Sequence, residues 1–231
     1  MPFYLIDKPV GPTSHDIVDQ VRRLTGEQRV GHAGTLDPFA SGLLIVAVGR
    51  ESTKDLNKFI GLDKEYEATF VLGAESDTDD VTGKITPIPL PQDLTEKKIK
   101  TTMKNFIGEI KQTPPAYSAV KIGGKKMYEA ARAGQPLEAK ARAVTIYEYE
   151  IIDVGARHGA LQHSSEFEPF EIRVRIRCSS GTYIRALARD LGRALETGGY
   201  VSELRRTAIG QYKIKSATVL PNIKPLNLET T

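Results

Sequence analysis

Apolar positions divide this chain into short strands separated by a few helical stripes. The opening "FYLIDKP" predicts a strand that ends in a turn. In "GPTSHDIVDQVRRLTG", Val18, Val21 and Leu24 recur at helical spacing, with Ser14 as the expected N-cap and Gly26 as the stop. The stretch "RVGHAGTLDPFASGLL" begins as a Gly-rich loop, and "GLLIVAVG" is an unbroken apolar run between glycines, the pattern of a buried strand. "ESTKDLNKFIG" predicts a short helix closed by Gly61. In "KEYEATFVLG", Tyr66, Ala68 and Phe70 alternate with Glu65, Glu67 and Thr69, which predicts a half-buried strand.

Beyond it, "ESDTDDVTGK" reads as a polar loop. "LTEKKIKTTMKNFIGEI" predicts a helix capped by Thr95, with Ile99, Met103, Phe106 and Ile107 on its apolar face. "TPPAYSAVKIGGKKMYEAARAGQ" reads as loop, short strand, glycine turn and short helix. "ARAVTIYEYEIIDV" and "FEIRVRIRCSS" are strands, and the second sets Ile172, Val174 and Ile176 against a basic, exposed face. The segment "GARHGALQHSSEFEP" between them reads as a mobile turn. "GTYIRALARDLGRALETGG" predicts a helix ending at Gly198, with its start at Gly181 and Thr182, and "YVSELRRTAIGQYKI" a strand or strand pair. Strands in meander order with helices interspersed irregularly predict an α+β fold rather than a βαβ repeat. A single domain over 1–231 is expected, with a short tail at about 216–231.

Composition narrows the class. A chain of 231 residues with 40% hydrophobic and 26% charged residues is an ordinary globular sequence. One cysteine, Cys178, excludes an internal disulfide and fits a reducing compartment. Four scattered histidines give no zinc spacing, so no metal is expected. No secretory signal and no membrane-length apolar run is read, so the cytoplasm is the expected location. Net charge is only +3, but Arg173, Arg175, Arg177, Arg185, Arg189, Arg193, Arg205 and Arg206 crowd into one segment. Such a cluster can bind phosphates, or it can be a set of solvated arginines.

The candidate chemistry centres on Asp37, an acid among small and apolar residues. Asp-Pro pairs start turns, and a lone aspartate can equally be a nucleophile, a general base or a metal ligand. Metal binding needs converging oxygens that its neighbours do not supply. Pro38 biases Asp37 toward extended geometry, while Gly31 and Gly34 allow a ligand to approach the backbone. Tyr66 is either a core tyrosine or a ring that stacks on a planar substrate. Arg185 is either an exposed helical arginine or a partner for a carboxylate and phosphate. Lys8 sits at a turn set by Pro9 and Pro12, as punctuation or as a substrate contact. The Gly-rich loop lacks the Lys-Ser/Thr ending of a Walker A motif.

Six motifs stand in order: "DKPVGPTS", "GHAGTLDPFASGLL", "KEYEATFVLGAESDTDD", "TPPAYSAVKIGGKKMYEAARAG", "CSSGTYIRALARDLG" and "LRRTAIG". Together, from Phe3 to Gly210, they resemble the TruB family of pseudouridine synthases, the bacterial enzymes that act on uridine 55 of tRNA. The resemblance implies a pseudouridine synthase fold: a curved mixed or antiparallel central sheet flanked by helices and loops, with the active cleft across it. It implies isomerisation of a T-loop uridine without metal or organic cofactor. Asp37 maps to the essential catalytic aspartate, Tyr66 to the residue that stacks on the target base, and Arg185 to the arginine that pairs with the aspartate. His32 matches the histidine that contacts the RNA loop as the nucleotide is extruded, Tyr183 and Leu204 match residues lining the uridine pocket, and Lys8 takes a supporting role. Gly34 and Thr35, of the same "GTLD" loop, are expected to meet the RNA.

The chemistry fits those residue types. The N1–C1′ bond breaks, the uracil rotates, and it rejoins through C5. A base inside a folded loop must be flipped out first, at a cost of a few kcal/mol that stacking and phosphate contacts offset. An ionised carboxylate can add to C1′ or C6 and later leave, splitting one hard step into two. A guanidinium beside it favours the ionised form against desolvation. Two readings stand beside this one: a guide-RNA-dependent rRNA pseudouridine synthase of the related archaeal and eukaryotic branch, and a non-catalytic tRNA-binding or folding module. The "YSAVKIGGKKMYEAARAG" stretch points to the stand-alone type, which is expected to be a monomer. The sequence departs from the family in two places. No PUA domain follows the last motif, which predicts weaker, less salt-tolerant tRNA binding. The segment at 158–168 matches no family motif and reads as an insertion.

Overall fold

A computed structural model describes residues 2–135, 137, 139–155, 169–222 and 225–226. The chain is α+β and divides into two compact units, residues 1–67 with 204–231, and residues 68–203. Ten of its strands form a mixed sheet, and two of these, β4 (Lys64–Leu72) and β12 (Gly199–Ile209), run from one unit into the other.

The first unit opens with β1 (Phe3–Lys8), α1 (Ser14–Thr25), β2 (Val30–Ala33), β3 (Ser41–Val48) and two short helices, α2 (Arg50–Lys54) and α3 (Asn57–Ile60). β3 pairs antiparallel with β1 and with β2, and parallel with β12 through Arg205↔Ser41 and Arg206↔Gly42. The unbroken apolar run of β3 has a direct cause: both faces are covered. Leu43, Ile45 and Ala47 pack with Phe3, Leu5 and Phe59, while Leu44, Val46 and Val48 pack with Ile17, Val18 and Val21 of α1. Each such side chain contributes about 1.5–3 kcal/mol on burial. β13 (Tyr212–Lys213) turns back to pair antiparallel with the end of β12, a 3-10 turn covers Ile214–Ser216, and β14 (Pro225–Leu226) pairs with β1.

The second unit holds the β5 (Ala74–Ser76) and β6 (Ile85–Pro87) hairpin, α4 (Glu96–Lys104), β7 (Gly108–Gln112), the β8 (Lys121–Ile122) and β9 (Lys125–Lys126) hairpin, α5 (Met127–Arg132), β10 (Arg142–Val154), β11 (Phe170–Cys178) and α6 (Ile184–Leu195). β7, β10 and β11 form an antiparallel run, and α4 packs against α6 and β10. The buried face of α6 presents Leu187, Leu191 and Leu195.

Several local expectations change. Thr13, not Ser14, caps α1: its hydroxyl accepts from the Asp16 amide while the Asp16 carboxylate accepts from the Thr13 amide, a complete capping box. Ser14 is thereby freed for another task. Leu24 is exposed, and Ile17 takes its place on the buried face. Val30–Ala33 is strand rather than loop, because its amides and carbonyls find partners along β3. "ESTKDLNKFIG" forms two short helices, and Gly61 ends the second with ordinary right-handed geometry. α4 stops at Lys104, so Phe106 and Ile107 lie beyond it and Ile107 is exposed. α6 begins at Ile184 with Tyr183 at the cap, which makes Arg185 its second residue and leaves Gly181 and Thr182 outside the helix. The arginines of β11 do not make a bare basic face: Arg173, Arg175 and Arg177 stand opposite Asp153, Glu150 and Glu148 of β10, and only Arg173 is exposed. Residues 156–168, including the turn and insertion expected there, lie outside the described residues.

Gly42 shows how closely β3 and β12 approach. Its φ is +106°, and a Cβ there would run into the backbone carbonyl and amide of Arg206. Gly42→Ala is therefore expected to cost about 3 kcal/mol from backbone strain and steric overlap, visible as a lowered midpoint in urea unfolding. A change below about 0.5 kcal/mol would show that the strands are free to separate at this point.

Candidate active site

The loop 34–40 carries Asp37 between β2 and β3, and it is fastened on both sides of the acid. On the N-terminal side, the Ser14 hydroxyl accepts from the Leu36 amide at 2.9 Å and donates to the Leu36 carbonyl at 3.0 Å. On the C-terminal side, the Pro38 carbonyl accepts from the Gly11 amide at 2.8 Å and from Lys8 Nζ at 3.5 Å. The Ala40 amide donates to the Asp37 carbonyl, closing a turn. Asp37 is thus a turn residue as well as a candidate reactive group, and the two readings do not compete.

Two buried cations underlie this loop. Arg206, 1% exposed, donates from Nε to the Leu43 carbonyl and from Nη2 to the Gly34 carbonyl, both at 2.8 Å. Gly34 has φ +76°, and a side chain there would press on that guanidinium. Lys8 is fully buried and donates to the carbonyls of Pro9 and Pro12, each at 2.8 Å. Burial pulls its pKa down to about 8; the negative charge of Asp37 opposes that shift and Arg206 adds to it. At neutral pH Lys8 therefore remains a cation beside Asp37. Its place is beneath the loop, fixing it, rather than at an open turn.

His32 lies on β2 opposite Val46, with Nε2 3.3 Å from the Thr35 hydroxyl. Its pKa is lowered by burial, then by Arg206 and His15. It is accordingly a neutral hydrogen-bonding imidazole at neutral pH, and Thr35 beside it is exposed. Tyr66 on β4 and Leu204 on β12 are nearly buried, at 9% and 8% exposure.

In the second unit, Tyr183 and Arg185 open α6. The side-chain amide of Gln112, 2% exposed, clasps the Tyr183 backbone: Oε1 accepts from its amide at 2.7 Å and Nε2 donates to its carbonyl at 3.0 Å. Arg185 is buried. Its Nη1 donates to Asp80 Oδ2 at 3.0 Å and to the Thr78 carbonyl at 2.9 Å, and its Nη2 donates to the Tyr117 carbonyl at 2.8 Å. Asp80 is saturated in turn, because its Oδ1 accepts from the Thr78 hydroxyl and from the Thr82 amide. The acidic "ESDTDD" segment is therefore a buried anchor for α6 rather than only a polar loop. Among the described residues, no cluster of His, Cys, Asp and Glu is arranged to hold a metal ion, and no helix is long and apolar enough to cross a membrane.

The profile of the TruB family pseudouridylate synthase N-terminal domain matches residues 22–184, well over half of the chain. The chain belongs to this family. The profile of the tRNA pseudouridylate synthase B C-terminal domain matches residues 185–227. Two proteins named tRNA pseudouridine synthase B illustrate the similarity. The one from Leifsonia xyli subsp. xyli (strain CTCB07) is 45% identical over 224 residues, covering 96% of this chain and 71% of the relative. The one from Thermobifida fusca (strain YX) is 43% identical over 222 residues, covering 95% and 73%. Among solved structures, a Cbf5-Nop10-Gar1 complex contains a chain 31% identical with TM-score 0.68, and an H/ACA RNP bound to a substrate RNA containing 2′-deoxyuridine contains one 29% identical with TM-score 0.65. This TruB-family chain is covered to 95% in both cases but spans only about half of those solved chains, 52% and 51%.

Sequence reasoning named Lys8, His32, Gly34, Thr35 and Asp37, which the first unit gathers around one loop. It passed over Ser14 and Arg206, which fasten that loop, and Asp80 and Gln112, which fasten α6. Ser14 was readable only as a cap, and Arg206 was one arginine among eight in its segment. The charge coupling between Lys8 and Asp37 is directly measurable. The Lys8 ammonium is expected to titrate near pH 8 in carbon-detected NMR of the lysine side chains, and Asp37→Asn should lower that midpoint. A midpoint near the ordinary 10.5, or one indifferent to Asp37→Asn, would contradict the geometry.

Proposed function

We propose that this TruB-family chain isomerises uridine 55 in the T-loop of tRNA to pseudouridine, with Asp37 as the nucleophile on a flipped-out uridine. The observation that carries the reading is the mounting of Asp37. Its two neighbours, Leu36 and Pro38, are each hydrogen-bonded to the segment 8–14, while the carboxylate has a buried cation nearby. A reactive group held on a preorganised support with a charge partner is what nucleophilic catalysis requires. The named relatives, at 45% and 43% identity, support tRNA as the substrate.

In this mechanism Tyr66 stacks on the extruded uracil, while Tyr183 and Leu204 line its pocket. His32, neutral and next to exposed Thr35, meets the RNA loop by hydrogen bonding, and the loop at Gly34 and Thr35 is a further contact to the RNA. Arg185, whose described carboxylate partner is Asp80, takes the role the family resemblance gives it, favouring the ionised state of the catalytic aspartate. Asp37 adds to C1′ or C6, the N1–C1′ bond breaks, the uracil turns, a C5–C1′ bond forms, and the bond to the Asp37 carboxylate breaks to free it. C5 loses its proton and N1 gains one, so no atom is added or lost and no metal or organic cofactor is called for. The protein acts as a monomer in the cytoplasm on the T-stem-loop.

The test is to incubate the protein with unmodified tRNA and map pseudouridine by carbodiimide treatment and primer extension. The wild type is expected to give product at position 55, and Asp37→Asn none. Equal product from Asp37→Asn would overturn the role of Asp37. No wild-type product would overturn the enzymatic reading, and product only on addition of a guide RNA would select the guide-RNA-dependent reading instead.

A further inference from the structure

Helix α6 carries two arginines one turn apart, Arg185 and Arg189, and each is met by one of two consecutive aspartates. Arg185 pairs with Asp80, and Arg189 donates from Nη1 to Asp79 Oδ2 at 2.9 Å. Both also reach a second loop, Arg185 to the Tyr117 carbonyl at 2.8 Å and Arg189 to the Thr113 carbonyl at 3.0 Å. The Nε of Arg189 is oriented by Asp190 Oδ1 at 2.9 Å. The two guanidinium groups thus form parallel rungs between the 78–80 turn and the 113–117 loop.

The outer rung is built in a way that stability alone does not explain. Asp79 adopts φ +60°, a left-handed conformation that costs energy for a residue with a Cβ. Its carboxyl is also pushed up by burial, despite the opposing charges of Arg189 and Arg185. A buried pair of this kind is poor evidence for stabilisation, and what it does supply is geometry. That geometry passes directly to the inner rung. Asp79 is bonded to Asp80 in the chain, its amide donates to the Ser76 carbonyl at 3.1 Å, and its carbonyl accepts from the Val201 amide at 3.2 Å. A displaced Asp79 would displace the carboxylate that holds Arg185.

We propose that Asp79 and Arg189 are positioning residues that hold the turn and the loop on either side of Arg185 and so set the direction of its guanidinium. The inference rests on the reading of Arg185 as the partner of the catalytic aspartate. Neither Asp79 nor Arg189 touches the substrate; both act through Arg185.

The test compares Arg189→Gln and the isosteric Asp79→Asn with the wild type in single-turnover pseudouridine formation on a tRNA transcript. RNA affinity is measured by filter binding, and folding by thermal melting. Each variant is expected to lose between about tenfold and a hundredfold in rate, the scale of a small misplacement of a catalytic group, while Kd stays within about twofold. In an Asp80→Asn background, Arg189→Gln should cost little more, because coupled residues are not additive. Wild-type rates in both variants, or losses that multiply fully with Asp80→Asn, would overturn the proposal. Arg185→Gln separates the two levels: a wild-type rate in that variant removes the role of Arg185 itself, whereas its loss alongside unaffected Arg189→Gln and Asp79→Asn removes only the outer rung.

Discussion

The Ser14 hydroxyl accepts a hydrogen bond from the Leu36 amide and donates one to the Leu36 carbonyl, closing a small ring between the first turn of α1 and the residue before Asp37. A carboxylate on a surface loop samples many positions, and fixing one costs about 1–2 kcal/mol of backbone entropy per residue. Here that cost is met during folding. Thr13 supplies the helix cap, which leaves Ser14 free to hold the loop, and α1 is itself seated on β3 by Ile17, Val18 and Val21. The position of Asp37 is therefore tied to the hydrophobic core through two short links.

Buried cations do the rest of the fastening, and they donate largely to backbone carbonyls. Arg206 reaches Leu43 and Gly34; Arg185 reaches Thr78 and Tyr117 besides Asp80; Lys8 reaches Pro9 and Pro12. A guanidinium offers five donors in a rigid plane, so one side chain can fix two segments at a set angle. The positive charge of Lys8 also acts on Asp37, the acid proposed to work ionised. Structural support and electrostatic support then come from the same lysine.

Much of this was legible in the sequence, and the reasons differ by element. β3 was readable because an apolar run between glycines has few other uses, and β4 because Tyr66, Ala68 and Phe70 alternate cleanly. Asp37 was ambiguous in isolation; six ordered motifs carried its assignment, not its neighbours. Asp79 and Asp80 were misjudged because polar composition predicts exposure, while their burial depends on arginines more than a hundred residues later in the chain. The arginines of β11 were misjudged for the opposite reason: their neutralising acids lie across the sheet on β10, a pairing that local pattern does not reveal. Ser14 and Thr13 exchanged roles because both are good caps, and only the neighbouring loop distinguishes them.

As the proposed nucleophile, Asp37 depends on having both of its flanks held. Removing only the Ser14 hydroxyl tests this dependence most directly: the single-turnover rate of Ser14→Ala on tRNA, measured well below its melting temperature alongside tRNA affinity. The rate is expected to fall by about tenfold or more with affinity preserved, since the reacting group loses its position and the RNA surface does not. A wild-type rate in a folded Ser14→Ala protein would show that the mounting of Asp37 does not matter to the chemistry.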